Sequence, residues 1–326
     1  MPNAWEKITR LFRREPDDEP APAAAPVAPS MAPAAAPATA ADTLRTTPLS
    51  ELSGSTIDTI RTAAASVAPR RLVIGLGQHV GRVRTHNEDV LLMFTGELAG
   101  LESMPSFGLF VVADGMGGHA LGERASGIAA RTIARHVLEA LLPSLLANPN
   151  TDGERPVLQE MMDAAMNSAN QAVFAGVPEG GGTTLTAALL MGEQVVLGHV
   201  GDSRAYLITP DSFEQLTRDH SLVQRLQELG QLSAAEAAIH PQRNVLYRAV
   251  GQGDGLEIDV ETRRMPPGAS LLLCSDGLWG LVPNERIESL VRQAPSLQAA
   301  CEALVSAANA AGGPDNITAL MVQSPA

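Results

Sequence analysis

Lysine is almost missing from this chain: Lys7 stands alone among 23 basic side chains, and all the others are Arg. We assign that bias to codon usage and not to chemistry. Cysteine is scarce as well. Cys274 and Cys301 form neither a CxxC nor a zinc-ligand spacing, and two thiols cannot make a disulfide framework. That usage fits a reducing cytoplasm, and both thiols are expected in the core as small apolar side chains. No apolar run reaches the roughly 18 residues that a membrane-spanning helix needs. Lys7, Arg10, Arg13 and Arg14 are followed by no apolar stretch, so a secretory signal is not expected. Basic charge is deficient where it would matter. Residues 1–71 hold eight basic and eight acidic side chains, so the whole net charge of −13 falls on 72–326. Phosphate backbones are bound by clustered Lys and Arg, so no nucleic-acid partner is expected. An acidic balance does suit a site for several divalent cations.

Composition divides the chain near residue 70. Residues 1–19 form a basic and apolar arm. Trp5, Ile8, Leu11 and Phe12 fall near one helical face, a pattern compatible with docking to a partner or a membrane surface; the plainer expectation is a frayed terminus. Residues 20–70 read as a linker. Within 20–41, twelve of the residues are Ala and six are Pro, so proline interrupts every potential helix and little large apolar side chain remains to build a core. Weak helical patterning occurs near 53–65. Residues 71–326 are the folded domain. Apolar, β-branched runs predict strands at 72–76, 90–94, 107–113, 184–190, 195–200, 205–208, 256–261, 270–274 and 318–322. Helical patterns fall at 121–146, 157–174, 222–228, 284–292 and 297–311. Strict strand–helix alternation is absent, which argues against a doubly wound parallel sheet. An α+β fold of two packed antiparallel sheets with helices outside fits better.

Chemistry gathers at strand ends. FGLFVVADGMGG (107–118) delivers Asp114 at the end of an apolar strand, followed by glycines that allow close backbone approach; the Gly115 carbonyl is itself a potential ligand. SLLLCSDG (270–277) repeats this with Asp276, GPDNIT (313–318) with Asp315, and VLGHVGDSR (196–204) with Asp202. A single Asp-Gly after a strand is ordinarily a turn. Four aspartates, each at the end of an apolar strand and next to Gly or Asn, are harder to assign to turns. Hard oxygen ligands converging from several strands suit Mg²⁺ or Mn²⁺. In GRVRTHNED (81–89), Arg84 could present its planar fork to phosphate oxygens; the plainer reading pairs it with Glu88 on the surface.

RTHNED (84–89), VVADGMGGH (111–119), GGTT (181–184), GDSRAY (201–206), CSDGLWG (274–280) and DNIT (315–318) follow one another in an order that resembles the PPM, or type 2C, metal-dependent serine/threonine protein phosphatases, especially bacterial ones. The resemblance covers about residues 72–323. It implies a four-layer α-β-β-α sandwich and hydrolysis of phosphoserine and phosphothreonine by a metal-activated water, in opposition to bacterial Ser/Thr kinases. It further implies two Mn²⁺ or Mg²⁺ ions held by Asp114, the Gly115 carbonyl, Asp276 and Asp315, with a weaker third at Asp202 and Asp276. Arg84 matches the phosphate-binding arginine, Glu88 and Asp89 match the acidic pair that follows it, with Asp89 a further metal-ligand candidate, and Asn316 matches the residue after the last ligand. Two positions depart from the pattern. Met116 stands where some members carry His, proposed there as general acid, which turns attention to His86, His119 and His220. Gly280 stands near where some carry a further Asp, which weakens the third site. Residues 217–251 occupy the place of the family's flap, which contacts substrate. Two other functions compete: a phosphoprotein-binding or sensor module of the same fold, and a small-molecule phosphomonoesterase.

Overall fold

The computed structural model describes residues 71–97, 106–118, 120–146, 157–178, 180–253 and 255–325. The arm, the linker, the pattern near 53–65 and His119 lie outside these.

Two antiparallel sheets form the domain's centre. One contains β1 (Val73–His79), β7 (Arg204–Ile208), β8 (Phe213–Gln215), β10 (Ser270–Cys274) and β11 (Ile317–Gln323), in the order β1-β11-β10-β7-β8. The other contains β2 (Asp89–Gly96), β3 (Phe107–Met116), β5 (Leu185–Met191), β6 (Gln194–Val200) and β9 (Asp259–Arg264), in the order β2-β3-β5-β6-β9, with the short β4 (Gly182–Thr183) paired to the end of β3. The strand period of two explains the layers. On β3, Phe110 and Val112 face the other sheet, while Leu109, Val111 and Ala113 face α1 (Ala120–Leu146) and α2 (Leu158–Gly176). On β10, Leu271 and Leu273 fill the space between sheets. Leu272 and Cys274 instead join the core under α5 (Asp276–Trp279), α6 (Asn284–Gln293) and α7 (Leu297–Ala310). Strands covered on both faces read as continuous apolar runs, which is why these lacked the alternation of an exposed sheet. The result is the expected four-layer α-β-β-α sandwich.

Two short helices, α3 (Leu222–Glu228) and α4 (Ala234–Ala238), stand in the segment between β8 and β9. Ser221 caps the first by accepting from the Gln224 amide at 3.3 Å. Ser233 and Glu236 form a capping box on the second, each side chain satisfying the other's backbone amide. Among the described residues no helix is long and apolar enough to cross a membrane.

The strand expected over 256–261 is displaced to Asp259–Arg264. Leu256 and Ile258 pack on the helix-side core outside any ladder, and pairing with β6 begins at His199↔Asp259 and runs to Gln194↔Arg264. An edge strand tolerates Thr262, Arg263 and Arg264, whereas apolarity drew the expectation upstream. The three-residue β8 and the one-turn α5 are too short for a periodic signal. Cys274 and Cys301 are buried, unbridged core residues, as expected, and burial pushes both thiols up to about 12.

Candidate active site

Ladder register places Asp89 directly across from Asp114 at the ends of β2 and β3. Asp276 opens α5 straight after β10, and Asp315 precedes β11, the strand paired with β10. Burial lifts the Asp114 carboxyl well above its usual range, and the charges of Asp89, Asp276, Asp202 and Asp315 lift it further. Asp276 is pushed to about 6 by burial and by Asp315, against a hydrogen bond with the Asp114 side chain that works in the opposite direction. Asp202 is likewise raised, by burial and then by Asp276. Electrostatics therefore links all the sequence-predicted aspartates into one neighbourhood.

Backbone packing holds the cluster together. The Thr184 amide donates to the Asp114 carbonyl at 2.8 Å, Thr183 Oγ1 donates to the same oxygen at 2.8 Å, and the Asp114 amide donates to Thr184 Oγ1 at 2.9 Å. The GGTT motif thus fixes the Asp114 peptide. Gly115 donates to the Glu88 carbonyl at 3.2 Å, and a Cβ on Gly115 would overlap the Gly122 carbonyl in the first turn of α1. Gly277 is equally constrained, since a Cβ there would overlap the Asn316 carbonyl. We expect Gly277→Ala to destabilise the domain by about 1–3 kcal/mol or more through overpacking, read as a drop in melting temperature of about 2–4 °C per kcal/mol; an unchanged melt would show that α5 and β11 can part without cost.

Asn316 ties the arginine loop to this frame. Its Oδ1 accepts from the Glu88 amide at 2.7 Å, and its Nδ2 donates to the carbonyls of Val80 at 2.9 Å and His86 at 2.8 Å. Arg84 Nη2 lies 2.9 Å from Asp315 Oδ2, so its ion pair is with a cluster aspartate and not with Glu88, the partner of the plainer reading. Partial burial works against the Arg84 charge, and Asp315, Glu88 and Asp114 outweigh it. Glu88 is buried, and its carboxylate lies against Gly122.

Asp89 carries the least expected feature. Its Oδ2 accepts from Ser275 Oγ and from Thr318 Oγ1, each at 2.7 Å, while its buried Oδ1 has no hydrogen-bond partner. Burial drives this carboxyl to about 7 against those two hydrogen bonds. Ser275 and Thr318 lie inside the SDG and DNIT motifs, where Asp276, Asp315 and Asn316 stand out in the sequence and these hydroxyls do not. Trp279 was missed in the same way; its Nε1 donates to the Asp202 carbonyl at 2.9 Å.

A cavity of about 700 Å³ opens beside the cluster, lined by Asp202, Asp276 and Asp315 on one side and by Val223, Gln227 and Arg243 of the 217–251 segment on another. His220, near the start of that segment, is buried 3.1 Å from both the Gly201 amide and Asp259 Oδ2, which withdraws it from an acid role in the cavity. Met116, on β3, has no proton to give.

These residues fit hard divalent cations. Every donor is oxygen, several buried carboxylates raise one another's pKa, and Asp89 Oδ1 is an orphaned buried acceptor. Among the described residues no three His, Cys, Asp or Glu side chains close on a single point. Side chains alone do not complete a coordination sphere here, so carbonyl and water oxygens must fill it, as such ions commonly require.

Residues 99–319 match the protein phosphatase 2C family. The serine/threonine phosphatase stp of Listeria innocua is 35% identical over 243 residues, spanning 74% of this chain and 92% of its own. Protein phosphatase PhpP of Streptococcus pneumoniae is 33% identical over 249 residues, 76% of this chain and 96% of its own. The Mycobacterium tuberculosis serine/threonine phosphatase PstP/Ppp superposes with a TM-score of 0.63 at 34% identity, covering 78% of this chain and 99% of that one. The PstP catalytic domain in complex with two manganese ions gives 0.61 at 33% identity, covering 77% and 97%. The fold is that of a serine/threonine phosphatase sandwich, and the chain belongs to the protein phosphatase 2C family. It is a protein serine/threonine phosphatase.

Proposed function

We propose that this chain hydrolyses phosphoserine and phosphothreonine in proteins with two Mn²⁺ or Mg²⁺ ions at Asp114, the Gly115 carbonyl, Asp276 and Asp315, and a weaker third at Asp202 and Asp276. The observation that carries this reading is the buried, mutually repelling, all-oxygen cluster with Arg84 at its edge. The two manganese ions in the PstP complex support the same count. When bound, the ions supply Lewis acidity and lower the pKa of a water enough to make it a nucleophile near neutral pH.

The protein's own residues do the rest. Asp114 has Asp89, Asp276, Asp202 and Asp315 among its electrostatic partners, so it would be the central carboxylate in holding the ions. Asp315 holds Arg84 beside the cluster, where the guanidinium's other donors would bind phosphoryl oxygens. Ser275 and Thr318 fix one oxygen of Asp89, leaving its buried Oδ1 without a hydrogen-bond partner and so available to a cation. Glu88 and Asn316 hold the arginine loop to β11 and act as supports. The opposing partners are bacterial Ser/Thr kinases or their substrates, in the cytoplasm. The 1–19 arm and 20–70 linker tether the 71–326 domain to a partner or a membrane surface.

Phosphate release from a phosphothreonine peptide tests the reading. Turnover is expected with Mn²⁺ and is expected to stop with EDTA. Metal-independent turnover would sink the mechanism, and tight binding without turnover would favour a phosphoprotein-binding module.

A further inference from the structure

We propose that His220 is a positioning residue for Asp202: by gripping both backbone polar groups of Gly201 it fixes where the Asp202 carboxylate stands, and ties it to the root of the 217–251 segment. The inference rests on the place given to Asp202 in the proposed site.

The His220 amide donates to the Gly201 carbonyl at 2.7 Å, and the Gly201 amide donates to His220 Nδ1 at 3.1 Å. An amide donor requires a bare Nδ1, so the ring proton is on Nε2, directed at Asp259 Oδ2 3.1 Å away. Arg248 Nη1, 3.2 Å from Nε2, is a second donor and gets its acceptors elsewhere, from Asp259 Oδ1 at 3.2 Å and from Glu257. The ring has no room to leave. It is buried, its centroid is 4.9 Å from that of His199, and His199 is itself fixed by Thr186 Oγ1 at 2.9 Å and the Arg218 carbonyl at 3.0 Å.

Gly201 needs such a clamp. Its φ is +111°, and a Cβ there would come 2.6 Å from Thr184 Cβ, so the position excludes side chains and has little conformational preference of its own. The next residue is Asp202. Beyond it, Arg204 makes a bidentate pair with Asp219 at 2.9 and 2.7 Å and stands 3.5 Å over the Trp279 ring. Trp279 in turn donates to the Asp202 carbonyl. The loop is therefore held by 219–220 on one side and by α5 on the other, and His220 supplies both bonds at its glycine hinge. The Tyr247 amide closes the circuit on the His220 carbonyl at 2.9 Å.

Packing alone predicts that any polar replacement of His220 does similar harm. Positioning predicts an order. Asn places a carbonyl oxygen where Nδ1 stood, whereas Gln reaches toward Asp259 and leaves the Gly201 amide unanswered. In EDTA-treated full-length protein, hydrogen exchange over 198–206 should stay close to wild type in His220→Asn and quicken about tenfold or more in His220→Gln. With Mn²⁺, phosphate release should fall about 10–100-fold in His220→Gln, the usual cost of an outer-shell partner, and less in His220→Asn. In an Asp202→Ala background, His220→Gln should add no further loss. Wild-type exchange in His220→Gln, lost protection in His220→Asn, equal activity losses in both, or additive losses with Asp202→Ala would each overturn the inference. Wild-type turnover in Asp202→Ala would instead remove Asp202 from the site and leave the exchange result standing.

Discussion

Asp276→Ala is expected to abolish Mn²⁺-dependent turnover, by at least about 10³-fold, since a metal centre supplies several kcal/mol of transition-state stabilisation and each 1.36 kcal/mol is tenfold in rate. The side chain is central by its contacts. It is hydrogen-bonded to Asp114, raised by Asp315, lowered by Arg84, and it raises both Asp114 and Asp202. The loss should not come from unfolding. Removing one buried carboxyl from a group of like charges relieves repulsion, so Asp276→Ala in EDTA should melt no lower than wild type in EDTA. Phosphate release and thermal melts on the same preparations separate the two effects. A variant that keeps more than about a tenth of its turnover, a barrier change under about 1.4 kcal/mol, would show that the cluster is not where the cations act.

Much of this was legible in the sequence because the domain is buried on so many faces. β3, β5, β6 and β10 are covered by a sheet on one side and helices on the other, so each announced itself as an unbroken apolar run, and β3, β6 and β10 lead directly into the residues that carry chemistry. The five helices expected from the sequence were found nearly to the residue, with α3 expected and observed over Leu222–Glu228, while the short α4 and α5 were not expected. What was hidden depends on partners distant in the chain. Asp315 as the partner of Arg84 lies 231 residues away, and nothing in RTHNED favours it over the adjacent Glu88. The hydroxyls of Ser275 and Thr318 look like strand and turn residues until β2, β10 and β11 bring them to Asp89. His220 likewise sits among polar residues of an insertion, and its bond to Gly201 exists only once β6 and the flap root meet.

The same carboxylates give the metal-free enzyme an unusual pH dependence: its stability should fall as pH rises from about 6.5 to 8. Asp89 titrates near 7 in the folded protein and near 3.8 in its unperturbed state, and Asp114 and Asp202 are also raised. A raised carboxyl binds its proton more tightly when folded. Its stabilisation is complete below the unfolded value and is lost as pH climbs through the folded one. Asp276, near 6, has lost most of its share before this window opens. His199 acts in the opposite sense. Burial holds its ring near 3, so it weakens the fold only where the unfolded imidazole is protonated, below about 6.5. His220, also lowered by burial, has the same sign. Above about pH 7 the histidines contribute little and the carboxyls set the slope, of which Asp89 alone should account for roughly 1 kcal/mol across the window. Mn²⁺ should reverse the trend, because cations bind the deprotonated cluster; at a hundred times its dissociation constant an ion adds about 2.7 kcal/mol. Thermal melts at pH 6.5 and pH 8, each in EDTA and in Mn²⁺, therefore give two lines of opposite slope. A metal-free melting temperature that holds steady or rises over this window would mean that the carboxylates do not repel one another as their burial requires.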